Sequence, residues 1–389
     1  MPRTRLPRRN RQSPEIEELM QLAHALALSS CRIEDGFWET RLASRIDKLI
    51  KGSDDDSLST ALDTLNKTDQ RACDALADMI EFRCESHSED IHNERDVLLF
   101  AAPLLAWSRY AIPSGQIAAD ALANLRVQLA AHVFAADVRL GLADILFSPD
   151  QLPPNYSETA RLTGKLAKAA VHGRDLHLDA GQLSETMSFL SDTRYLVGVV
   201  VAEKGAALFR WQETDGNRET ALARWRTQGG EALRPLLPAC ASELLLPLAF
   251  HSACREAERQ SRPYSIRASV AFLNTAVNIA ADRLAAVVAP FKENRIEEYR
   301  IGFVHKDSGN VVHGVVWPLL DTEDGNEAPA QIEAILRECG IHDIRLIEHT
   351  FPLEYCDDCG APLYPDSNEE AVHAELPDDD GAQAPQHLH

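Results

Sequence analysis

Two thiols at metal-ligand spacing stand near the C-terminus, in Cys356-Asp357-Asp358-Cys359-Gly360. A Cys-x-x-Cys turn followed by Gly can aim both sulfurs at one point, with Gly taking the backbone conformation other residues avoid. Tetrahedral Zn²⁺ takes four N or S ligands, so this knuckle is half a site. Three residues compete to complete it. His251 and Cys254 form a second pair at ligand spacing in His251-Ser252-Ala253-Cys254, and His373 follows Cys359 in an apolar stretch over 371–376. A structural zinc site is the expected chemistry. A dithiol redox role fits less well, because such pairs open a helix in a βαβ setting whereas this pair follows an expected strand. Asp357 and Asp358 are also expected to raise the thiol pKa values in the absence of metal.

Other polar groupings carry weaker signals. His172, Asp175, His177 and Asp179 fall within eight residues, just after a helix whose end Gly173 would cap. They read as a solvated loop, with acid–base chemistry as the alternative. Arg255, Glu256, Arg259 and Arg262 suit either salt bridges or an anion, and Asp54-Asp55-Asp56 suits a helix start. The chain has no P-loop, no dinucleotide-binding glycine pattern, no Gly-x-Ser-x-Gly elbow and no His-Glu-x-x-His. No nucleotide cofactor is therefore expected.

The elements that would position these groups divide into two kinds. Ser13-Pro14-Glu15 opens a helix, and Ile16, Leu19, Ala23 and Leu26 recur at helical spacing. Similar stripes predict helices over about 36–50, from 54–57 onward, over 69–83, near 94–109 and over 114–134, with a polar loop at 84–93. Residues 13–135 thus read as an antiparallel helical array. From 136 to 376 the texture changes to α+β. Tyr195–Ala202 reads as a strand, Ala206–Gln212 as its hairpin partner, then a helix at 218–236 and a strand at 243–250. Tyr299–Lys306, Val311–Leu319, a helix at 328–339 and a strand at 343–351 repeat that order. Tyr195 and Gly198 match Tyr299 and Gly302. The expectation is α+β: a helical array followed by two duplicated hairpin-helix-strand units, about 194–254 and 297–359, that carry the Cys-x-x-Cys knuckle. Ser265–Leu284 reads as a long helix between the units and Ala285–Phe291 as a short strand. Packed with pseudo-twofold symmetry, the units would bring His251 and Cys254 to the knuckle.

Charge sets the outer limits. The 389 residues hold 39 Lys and Arg against 60 Asp and Glu, a net charge of −21, which argues against binding nucleic acid through the whole surface. Residues 1–12 carry five Arg and no acid, and read as a flexible basic arm; nucleic-acid contact is expected only there. Residues 354–389 carry ten acids and no Lys or Arg, and 377–389 reads as an acidic tail. The longest apolar run, Val97–Trp107, is too short for a membrane span and is broken by Pro103, so no membrane partner is expected. Leu28-Ser29-Ser30-Cys31 resembles a lipobox, but Glu15, Glu17, Glu18, Gln21 and His24 spoil the leader before it. Eight cysteines, six of them isolated, do not form a disulfide framework, and the cytoplasm is the expected compartment.

Several strings together resemble a known family. Residues 194–211 (RYLVGVVVAEKGAALFRW), 252–263 (SACREAERQSRP), 287–318 with VVAPF, EYRIGF and GVVWP, and 355–376 (YCDDCGAPLYP through VHAELP) resemble an uncharacterised proteobacterial family of unknown function, DUF2863. The resemblance covers nearly the whole chain and implies a cytosolic bacterial protein. It implies no activity, so no functional residue is carried over. The expected function is a non-enzymatic interaction or scaffold protein that meets a protein partner. The alternatives are an enzyme with a cleft between the two α+β units and a regulator touching nucleic acid through the arm. Gathering of His172, Asp175, His177 and Arg255 in one pocket would favour the enzyme.

Overall fold

The computed structural model describes residues 13–86, 95–186, 189–320, 323 and 325–376. The expected basic arm, the acidic tail and most of the 84–93 loop lie outside these residues.

Four helices come first: α1 (Pro14–Ala27), α2 (Arg32–Gly52), α3 (Asp55–Thr68) and α4 (Gln70–Ser86). Ser13 caps α1 by accepting from the Ile16 N–H, and Asp54 caps α3 by accepting from Ser57. Ser53, in the left-handed region at φ 53°, ends α2. Leu19, Leu42, Ile46, Leu58, Leu65, Leu76 and Ile80 are fully buried between these helices. Arg83 grips Asp47 through two hydrogen bonds of 2.7 and 2.6 Å, tying α4 to α2.

The helix expected near 94–109 is instead a long strand, β1 (Arg95–Trp107). It is followed by β2 (Gly115–Gln116), α5 (Ala119–His132), β3 (Arg139–Phe147), α6 (Tyr156–Val171) and β4 (Ser191–Glu203). A strand packed on both faces reads as a continuous apolar run, which periodicity cannot separate from a buried helix. Pro103 is tolerated because its carbonyl, and with it the side lacking an N–H, faces the gap between β5 (Ala241–Leu244) and β6 (Leu248–Ala249). The sheet runs β2-β3-β4-β1-β5, with β6 also beside β1. The return strand expected over 206–212 does not form. Both edges of β4 are already paired, with β1 and β3, and the segment instead makes a bridge from Phe209 to Phe134 and a tight turn at Arg210–Gln212. Helices α7 (Arg218–Arg224) and α8 (Gly230–Leu233), joined through Trp225–Gly229, cover one face of this sheet with α5. The other face packs on α6 and α9 (Phe250–Thr275).

α9 begins well before the expected Ser265 and ends before Leu284. Its first half seats Phe250, Ala253 and Ala257 on the first sheet, and its second half seats Ile266, Val270 and Leu273 on the second. The second sheet contains β7 (Leu284–Lys292), β8 (Ile296–His305) and β9 (Val311–Pro318), with β10 (Ile344–Leu346) and β11 (Phe351–Pro352) parallel to β7. Here the expected hairpin is present, closed by a turn with Gly309 at φ 75°, and α10 (Ala328–Glu338) follows it. Ile301 and Phe303 face α9 and α10, whereas Val304 and Val311 face the C-terminal segment.

That segment lies on the sheet through a slot made by two glycines paired across the strands, Gly302 and Gly314. A Cβ on Gly302 would stand 2.2 Å from the Pro365 carbonyl oxygen, and one on Gly314 2.3 Å from the Tyr364 ring. Tyr364 and Pro365 form β12 (Tyr364–Pro365), which pairs with β13 (Ala371–Val372). Gly314→Val is expected to push Tyr364 off the sheet at a cost of about 1–3 kcal/mol. Thermal unfolding should show that loss, and limited proteolysis should cut beyond Leu353 in the variant first; unchanged melting and cleavage would refute the slot.

Candidate metal centre

The knuckle is positioned from β8 upward. Arg300 shares a sheet face with Gly302 and is 0% exposed. A guanidinium without water must find acceptors in the protein. Nε donates to Glu298 at 2.6 Å, and one terminal nitrogen donates to the carbonyls of Glu354 (2.6 Å) and Leu363 (2.8 Å). The Phe291 ring lies 4.2 Å on one side of the guanidinium carbon and the Tyr355 ring 5.0 Å away. Arg300 thus fixes both stems of the loop between 354 and 363. Within it Tyr355 bridges to Pro362, the Cys356 N–H donates to Ala361 (2.7 Å), and the Gly360 N–H donates to Cys356 (2.8 Å). Gly360 takes φ 73°, as the spacing requires.

The third donor arrives by the β12–β13 hairpin. Asp366 tightens its turn by accepting from the Asn368 and Glu370 N–H groups, both at 2.8 Å. His373 follows β13 directly, and its Nε2 lies 3.3 Å from Cys359 Sγ. The ligand atoms of Cys356, Cys359 and His373 all lie within 4.8 Å of one another. Donors around tetrahedral zinc, with bonds of about 2.0–2.3 Å, stand about 3.3–3.8 Å apart, so Cys356, Cys359 and His373 would hold such an ion if their wider separations shortened. Cys359 is exposed and Cys356 and His373 are half-buried.

The expectation of raised thiol pKa values is overturned at Cys356. Its pKa lies below the usual thiol value because the backbone N–H groups of Cys359 and Asp358, and the Cys359 side chain, hydrogen-bond the sulfur. These contacts outweigh the opposing charge of Asp358.

His251 and Cys254 are not in this cluster. They occupy the start of α9, whose first half packs on the first sheet, away from the face of the second sheet that carries the knuckle. The His251 N–H donates to Glu85 at 3.1 Å, and its ring stands 5.9 Å from that of Tyr156. Burial depresses the His251 pKa, pushes the Cys254 thiol up to about 12 and raises Glu85 from its ordinary 4.5 to about 7. This junction of α4, α6 and α9 was not foreseen from sequence, nor was the Arg300 clamp. The available signal for the latter was an Arg on the inward phase of an apolar strand, two residues after Glu298.

The remaining candidates are spread over separate local contacts. His172 Nδ1 lies 2.7 Å from the Lys168 carbonyl, and His177 Nδ1 lies 2.6 Å from Asp144. Asp175 pairs with Arg126 and accepts from the Leu142 N–H, so the 172–179 segment borders β3. Arg255 pairs with Glu81, Arg259 with Glu256, and Arg262 with Glu323. Asp54 is the α3 cap, and Asp55 accepts from the Ser157 N–H of α6.

Two outcomes follow from these contacts. Arg300→Met leaves Glu298 and two carbonyls unmatched and is expected to cost about 3–5 kcal/mol in denaturant unfolding. Equal stability would show that the clamp contributes nothing. Glu85 keeps its proton to higher pH in the folded chain than in the unfolded one, so its contribution falls as pH rises from 4.5 through about 7. Glu85→Gln retains an acceptor for His251 and should be the more stable protein at about pH 8, by up to about 3 kcal/mol, with the gain vanishing below about pH 4. A difference independent of pH would refute the assignment.

The model of the family described as "Protein of unknown function (DUF2863)" matches residues 4–387. No curated protein and no solved structure matches the chain. With nearly its whole length matched, the chain belongs to the DUF2863 family.

Proposed function

We propose that this is a non-catalytic interaction protein whose C-terminal segment is stapled to the second sheet by zinc held between Cys356, Cys359 and His373. The convergence of those three donor atoms within 4.8 Å carries the reading. Two thiolates and an imidazole suit a soft or borderline ion such as Zn²⁺ better than a hard one. The position beyond them would take water or an outside ligand. A protein-binding role is supported by the junction of α1 and α2, where Leu28 is 80%, Ile33 88% and Phe37 50% exposed. The scatter of His172, Asp175, His177 and Arg255 among local partners weighs against the cleft-enzyme alternative. All eight thiols are free, which agrees with a reducing compartment such as the cytoplasm.

The same reading retains a duplication, with boundaries other than the expected hairpins. In β1–β4, Pro103 faces Tyr195 and Phe100 faces Gly198; in β7–β8, Pro290 faces Tyr299 and Val287 faces Gly302. Each inner strand also buries an Arg bound to the acid two residues before it, Asp192–Arg194 and Glu298–Arg300. These correspondences support two related strand pairs bridged by α9.

The test is elemental analysis of reduced, full-length protein after gel filtration, together with Co²⁺ titration followed by thiolate-to-metal absorption. The expected result is about one zinc per chain and a tetrahedral cobalt spectrum, both lost in Cys356→Ser and weakened in His373→Ala. Protein without stoichiometric zinc, or Cys356→Ser with unchanged metal, overturns the staple.

A further inference from the structure

Where α9 passes from the first sheet to the second, a cavity of about 240 Å³ opens between the helix and β4. That space equals about eight waters at liquid volume, enough for a small organic molecule. Ser191, Thr193 and Tyr195 enter it from β4, and Glu258, Ser261 and Tyr264 from the helix around Pro263. The wall is therefore hydroxyl-rich, with two aromatic surfaces.

The charges in and around the cavity are unequally matched. Asp192, at one end, is bound by the buried Arg194. Arg194 spends three further N–H groups on the carbonyls of Ile112, Pro113 and Thr193, and it is not one of the residues that line the cavity. Glu258 stands exposed at the mouth. The nearest cations on its own helix, Arg255 and Arg262, are committed to Glu81 (2.9 Å) and Glu323 (2.7 Å). Among the described residues Glu258 has no ion pair of its own. The Tyr264 hydroxyl donates to the Ala241 carbonyl at 3.0 Å, which fixes its ring at the wall.

We propose that this cavity binds a small organic ammonium ion, with Glu258 as its counter-ion, serine and threonine hydroxyls accepting its N–H groups, and the Tyr195 and Tyr264 rings as walls. An anion would meet two carboxylates and no Lys or Arg in the lining. A divalent metal needs several oxygen ligands at about 2.0–2.6 Å, whereas Asp192 is taken by Arg194. A neutral polyol would satisfy the hydroxyls but gain nothing from the Glu258 charge. An alkylammonium answers all three features, since a cation near aromatic faces and a carboxylate gains from both.

The experiment is calorimetric titration of the full chain with ethanolamine and with 1,4-diaminobutane, using 1,4-butanediol as the uncharged control. At least one amine should bind with one site per chain and the diol should not. Glu258→Gln should weaken the amine about tenfold, with melting unchanged because the side chain is exposed. Glu256→Gln, on the same helix but paired with Arg259, should leave the titration as in wild type. No heat with either amine, equal binding of the diol, or an unaltered titration in Glu258→Gln overturns the proposal.

Discussion

A fully buried guanidinium organises the C-terminal third of this protein. In water Arg300 would need no partner, but at 0% exposure it must be matched by acceptors or its desolvation is uncompensated. The acceptors are Glu298 on its own strand and two carbonyls, at Glu354 and Leu363, far along the chain. Matching the charge at Nε and one terminal nitrogen therefore closes the loop that carries Cys356 and Cys359, while the other terminal nitrogen has no hydrogen-bond partner among the described residues. The paired glycines beside it admit Tyr364 and Pro365, and the returning hairpin delivers His373. The geometry of the three donors is thus a consequence of packing on β8 and not of the knuckle alone.

The two sheets are joined by a single long helix. α9 lends one half to each apolar core, so neither half of that helix is buried without its own sheet. Pro263 lies in the middle, where one backbone hydrogen bond is absent in any case. Its first turn also meets α4 and α6, where Glu85 and His251 titrate away from their ordinary values because they are removed from water together. The helical array is therefore coupled to the first sheet through polar as well as apolar contacts.

Legibility in the sequence followed burial geometry. α1 to α4 each bury one stripe, so Leu19, Leu42, Leu58 and Leu76 stood out at helical spacing. β1 buries both faces, so its apolar run had no period and Pro103 suggested a broken helix. The strand at 195–202 was legible, but its neighbours were not. The adjacent segment at 206–212 resembled a hairpin return, while the true partners, β1 and β3, lie tens of residues away. In the second half the neighbouring strands do pair, and there local reading and structure agree.

The sequence by itself determined what depends on short range: the capped helices, the Gly-terminated Cys-x-x-Cys turn, and the presence of a candidate third ligand at His373. It could not choose between His373 and the His251–Cys254 pair, because spacing gives ligand type without direction. The tertiary structure brings His373 beside the two thiols and leaves His251 and Cys254 at the start of α9, against the first sheet. It also reversed the expected effect of Asp358, since backbone N–H groups at hydrogen-bonding range act on the sulfur more strongly than a solvated carboxylate beside it.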